Sequence, residues 1–105
     1  MIITIFRSQL RPEYIDEYEL YAPRIEELAR GMPGFVSIKG YTAADGERVS
    51  IVEFADGESH EAWRRHPEHL EAQRLGRAKF YSTFRIQVCE VVKDHAFNSP
   101  EAHSE

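Results

Sequence analysis

The chain has 105 residues, of which 42% are hydrophobic and 11% aromatic, and its 13 basic against 18 acidic residues give a net charge of −5. That is one domain with a small core, too acidic to offer the basic face that nonspecific nucleic-acid binding needs. No apolar run approaches the roughly 18 residues of a membrane span. The single cysteine, Cys89, excludes an intrachain disulfide. Set among Ile86, Val88, Val91 and Val92, it reads as a small buried hydrophobe. The N-terminus opens on a strand pattern without a leader-like basic and apolar stretch, so the cytoplasm is the expected compartment.

Ile2 to Leu10 alternates as a strand whose two faces both begin apolar, and both are expected to be covered. Arg11-Pro12-Glu13 starts a helix, with Glu13, Asp16 and Glu17 near its positive end. Its stripe is Tyr14, Tyr18, Tyr21, Ile25, Leu28 and Met32, interrupted by Pro23, which is expected to kink it or delay its start. Gly31 and Pro33-Gly34 end it. Phe35–Thr42 and Arg48–Ala55 read as an antiparallel hairpin around Asp45-Gly46. Arg7 on the first strand is expected to pair with Glu53 or Glu90.

A second helical region follows, with Ser59 as the expected N-cap of a short helix through Arg65. His66 precedes Pro67 and is biased away from helical ψ, while Pro67 suits the first position of a new helix running to about Phe80. Thr83–Lys93 is the last strand, and residues 98–105 are a polar tail expected to be disordered. Residues 1–97 form the domain.

The order β-α-β-β-α-β, with right-handed crossovers, implies an α+β ferredoxin-like plait: a four-stranded antiparallel sheet with both helices on one face. Strands apolar on both sides would leave the other face as a patch larger than monomers tolerate. A second copy packed sheet to sheet is the expected cover, giving a homodimer.

Met32-Pro33-Gly34-Phe35, the strand Val49–Phe54, the segment Ala62-Trp63-x-x-His66-Pro67-x-His69 and the run from Phe80-Tyr81 to Gln87-Val88 resemble the antibiotic biosynthesis monooxygenase family of the dimeric α/β barrel superfamily. The likeness extends from Ile2 to about Phe97. Some members of that family oxidise phenolic polyketides without any cofactor, others degrade haem, and many have no known reaction. In the haem-degrading pattern Trp63 matches a helix Trp, but the haem-ligating His falls on Gln73 and the strand Asn on Ser8. Gln is not a usual axial ligand.

Cofactor-free oxygenation of a phenol needs an aromatic wall, a base, and a donor or cation for the anion. The resemblance therefore implies a small aromatic substrate and no cofactor or metal. It assigns His69, Trp63 and Arg77 to catalysis, and Phe54, Phe80, Tyr81 and His66 to substrate binding. Each has a plainer role: Trp63 as core, His66 as a cap, His69 as a hydrogen-bonded surface residue, Arg74 as an ion-pair partner of Glu71. His60, His66 and His69 lie close in sequence, but their spacing, broken by Pro67, fits a zinc site poorly. Two alternatives stand beside the oxygenase: a non-catalytic dimeric binding or stress module, and a haem protein.

Overall fold

The computed structural model describes residues 1–100. Strand β1 (Ile2–Leu10) leads through a 3-10 turn (Pro12–Tyr14) into α1 (Ile15–Arg30). Strands β2 (Phe35–Thr42) and β3 (Arg48–Phe54) form the hairpin. Helices α2 (Gly57–Arg64) and α3 (Pro67–Leu75) follow, then a π-helical turn (Gly76–Phe80) that runs directly into β4 (Tyr81–Glu90). The sheet order is β2-β3-β1-β4, all antiparallel, the ferredoxin-like α+β plait.

Register sorts the side chains. Thr4 lies opposite Val52 and Val88, and Phe6 opposite Ser50 and Ile86, so these share one face. The helices pack there, where Phe54 (0% exposed), Ala29 and Trp63 form the core with Ile25, Leu28, Met32, Phe35 and Val52 against them. The other face carries Ile3, Ile5, Val49 and Ile51 together with Arg7, Glu53, Arg85 and Gln87.

Pro23 sits inside α1, which continues unbroken through it. At the turn before β2, Gly34 has φ +79°, and a Cβ there would lie 2.1 Å from the Ser59 hydroxyl oxygen. Only glycine lets the chain pass this close to the first turn of α2.

Several expectations are corrected. The N-cap of α2 is Asp56, not Ser59: the Ser59 N–H donates to Asp56 Oδ1 at 2.8 Å. The helix begins earlier than expected, at Gly57, which places Asp56 at the cap, and this bond holds its carboxyl below its ordinary range. β3 ends at Phe54 because the Ala55 N–H turns to the Gly34 carbonyl at 2.7 Å. β4 begins at Tyr81 rather than Thr83 and ends at Glu90, leaving Val92 almost wholly exposed. Cys89 is exposed rather than buried, since register sets it beside Ile3 on the face without helices and on an edge strand. Arg7 makes no ion pair with Glu53 or Glu90 among the described residues; its cross-strand neighbours are Val49 and Arg85, and Glu53 accepts from the Ser37 hydroxyl at 2.9 Å. The tail expected at 98–105 lies outside the described residues from 101 onward.

Candidate active site

The site grows from the joint between α2 and α3. His66, with φ −60° and ψ 130°, is extended as the residue before a proline must be. Its Nδ1 accepts the Glu68 N–H at 3.2 Å, so His66 is the N-cap of α3. Its ring stands 6.0 Å from the Trp63 ring but does not line the cavity described below.

The reversal at Pro67 brings His69 back over Trp63. The two rings stack with centroids 4.1 Å apart and planes 11° from parallel. Trp63 is 7% exposed and anchored in the core. Its backbone carbonyl, at the end of α2 and without a helical partner, takes the His66 N–H at 3.1 Å and His69 Nδ1 at 3.1 Å. A carbonyl only accepts, so His69 Nδ1 carries a proton and the lone pair of the neutral ring is on Nε2. Burial pushes the His69 pKa below its ordinary value of 6.5; the bond to the Trp63 carbonyl opposes this, and nearby His66 and His60 add to it. At neutral pH the ring is a free base in a fixed tautomer.

His69 and Trp63 line a cavity of about 460 Å³ between the helices and the sheet, within the size range of small-molecule sites. Thr4, Phe6, Ile38 and Val52 form its floor, and Tyr18, Tyr21 and Ile25 of α1 one wall. Phe84, Ile86 and Val88 of β4 form its open side, where Val88 is 54% exposed because no helix reaches that edge.

Of the other expected site residues, Tyr81 and Arg77 line this cavity. Tyr81 packs against Tyr18 with ring centroids 5.9 Å apart. Burial, reinforced by Tyr18, pushes its phenol far above the ordinary range and keeps it a hydrogen-bond donor. The Arg77 guanidinium lies 5.8 Å from the centre of the Phe84 ring. Phe54 and Phe80 are buried behind the wall: Phe54 in the core, Phe80 packed edge-on to Tyr18 with centroids 5.7 Å apart. Arg74 pairs with Glu71 at 2.6 Å on the surface. Gln73 also lines the cavity.

Two lining residues escape local sequence reading. His60 faces the cavity, with its Nε2 3.0 Å from the Thr4 hydroxyl on β1. Arg48, at the start of β3, lines a second cavity of about 370 Å³ that shares Phe6, Tyr18, Ala22, Glu26, Ile38 and Ser50 with the first. Both depend on partners thirty or more residues away, which no periodicity reveals. Among the described residues no three His, Cys, Asp or Glu side chains converge as metal ligands do. No helix among them is long and apolar enough to cross a membrane.

The architecture is shared with solved structures. Rv0793 from Mycobacterium tuberculosis superposes with a TM-score of 0.80 at 18% identity, over 90% of this chain and 98% of that one. A variant of SnoaB, a cofactor-independent oxygenase from Streptomyces nogalater, superposes with a TM-score of 0.75 at 18% identity, over 89% of this chain and 94% of that one. In sequence, the uncharacterized Bacillus subtilis protein YqjZ is 28% identical over 90 residues, covering 86% of this chain and 79% of that protein. The family model for antibiotic biosynthesis monooxygenase matches residues 1–75, a span that contains β1, the hairpin, Trp63 and His69. By that match the chain belongs to the antibiotic biosynthesis monooxygenase family.

Proposed function

We propose that the protein is a cofactor-independent monooxygenase that oxidises a small aromatic or polycyclic phenol with O₂, acting in the cytoplasm as a homodimer. The observation that carries this reading is His69, neutral, fixed in the Nδ1–H tautomer and stacked on Trp63 at the wall of an apolar cavity. SnoaB, a cofactor-independent oxygenase of the same fold, is the precedent for such chemistry without a bound group. An open cavity also supports catalysis over the alternative of a binding module with its pocket filled by side chains.

The steps follow from the groups present. Nε2 of His69 takes the phenolic proton of a substrate lying in the apolar cavity. The electron-rich phenolate passes one electron to O₂, and the substrate radical and superoxide combine to form a carbon–oxygen bond. The imidazolium returns its proton to the terminal peroxide oxygen. Loss of the proton on the oxygenated carbon then breaks the O–O bond, leaving a ring carbonyl and, with that proton, one water. Arg77 and the Tyr81 hydroxyl stabilise the phenolate and peroxide anions.

The test is oxygen uptake by purified, metal-free protein with anthrones, naphthols and hydroquinones, beside Trp63→Phe and His69→Ala. Uptake above background that falls in either folded variant supports the reading. Uptake unchanged in both variants refutes the assignment of the site.

A further inference from the structure

The second cavity differs from the first in chemistry. The first is walled mainly by aromatic and aliphatic groups around His60, His69 and Arg77, whereas this one gathers Arg48 and Ser8, with the shared Ser50, at the end of the sheet. Arg48 is half-buried, and its guanidinium lies 5.5 Å from the centre of the Tyr18 ring, the residue that stands between the two cavities. It makes no salt bridge among the described residues, although five other arginines of the chain do. Ser8 is 4% exposed and opposite Arg48 in register, and its hydroxyl makes no hydrogen bond among the described residues. Two carboxylates also border the space: Glu26, which is held by Arg30 at 2.8 Å, and Glu19 on the exposed surface of α1. Gly40 of β2 keeps the space open, since a Cβ added there would meet nothing within 4 Å.

A planar, half-desolvated guanidinium without a carboxylate, beside a hydroxyl that opens onto the cavity from an otherwise buried residue, is built to receive two oxygens in one plane. We propose that this annex is a carboxylate subsite in which Arg48 and Ser8 hold the acid group of the substrate, so that the molecule taken by the adjoining cavity is an aromatic carboxylic acid. This rests on the reading of the larger cavity as an aromatic site. The subsite sets which aromatic compound is bound and in which direction, and it takes no part in the proton or oxygen chemistry.

The experiment is calorimetric titration of the full chain at pH 7.5 with 2-naphthoic acid and its uncharged isostere 2-naphthamide. Wild type is expected to bind the acid about tenfold more tightly than the amide, the scale of one charge-assisted contact. Arg48→Gln should abolish that preference, and Glu19→Gln should enlarge it. Gly40→Val, which keeps Arg48 but fills the space, should weaken the acid selectively; circular dichroism checks that each variant is folded. Equal affinity of wild type for acid and amide overturns the carboxylate subsite and leaves the aromatic cavity standing. A preference that persists in Arg48→Gln overturns the assignment to Arg48. If wild type binds neither compound, the aromatic cavity itself is refuted and the subsite with it.

Discussion

His69 Nδ1 donates to the backbone carbonyl of Trp63, the residue on whose ring its own ring is stacked. One residue thus fixes both the plane and the tautomer of the imidazole. The chain achieves this by ending α2 just after Trp63 and reversing at His66-Pro67, so a helix-terminal carbonyl becomes the orienting acceptor.

The burial of His69 makes stability depend on pH, and its bond to Trp63 moderates the effect. The folded-state pKa of His69 is depressed by burial, so below about 6.5 the unfolded chain binds a proton that the folded chain resists. Stability contributed by the neutral ring is present above that pH and declines as pH falls through it. His69→Gln should flatten this part of the curve, as read from midpoints of thermal unfolding between pH 5 and 8. An unchanged curve would show that His69 is not desolvated in solution.

Trp63 carries structural weight that His69 does not. At 7% exposure, against Phe54 and Ala29, its truncation opens a hole in a small core. Trp63→Ala should cost about 3–5 kcal/mol by urea denaturation. Trp63→Phe, which keeps an aromatic surface under His69, should cost clearly less and is the variant suited to activity work.

Gly76 and Tyr81 are coupled through contact. A Cβ on Gly76 would lie 2.7 Å from Cε2 and 2.9 Å from Cδ2 of the Tyr81 ring. Gly76→Ala should therefore destabilise by about 1–3 kcal/mol through overpacking. In a Tyr81→Ala background the obstructing ring is gone, and the same substitution should cost close to nothing. The double-mutant cycle, measured by chemical denaturation, isolates the clash from any general effect on the helix end.

The sheet face away from the helices fits the proposed homodimer. Ile5 and Ile51 are paired at its centre, flanked by Ile3 and Val49. Light scattering should give twice the 12.2 kDa of one chain, and Ile51→Lys should return the mass of a single chain by setting a charge where the proposed dimer would bring two sheets together. A monomeric wild type at micromolar concentration would remove the homodimer from the reading.

The strands were legible because alternation is a local property: β1 and β2 run over the residues their patterns indicate. Pro67 likewise announced α3, since the first position of a helix is where a proline fits best, although Pro23 sits within α1. The cavity was legible in part. Trp63, His69, Arg77 and Tyr81 were visible as a dense stretch of chemistry, but whether they converge depends on the helix joint. Phe54 and Phe80 have the composition of substrate walls and are spent on packing. His60 and Arg48 were missed because their roles are set by register: His60 meets Thr4 across the fold, and Arg48 sits beside Ser8 through β1–β3 pairing. Cys89 was misplaced for a related reason, since hydrophobic neighbours in sequence do not say which face an edge strand turns toward water.

The π-helical turn at Gly76–Phe80 delivers the chain into β4 with no intervening loop. A loop would absorb an inserted or deleted residue, but this junction has no slack. Because strand side chains alternate, a slip of one position along β4 would exchange Phe84, Ile86 and Val88 for Arg85, Gln87 and Cys89 in the cavity. A greasy opening would become a charged one. Changes of length that the hairpin turn at residues 43–47 could tolerate are thus closed to residues 76–80, and chain length there is as strictly constrained as the identity of any side chain in the site.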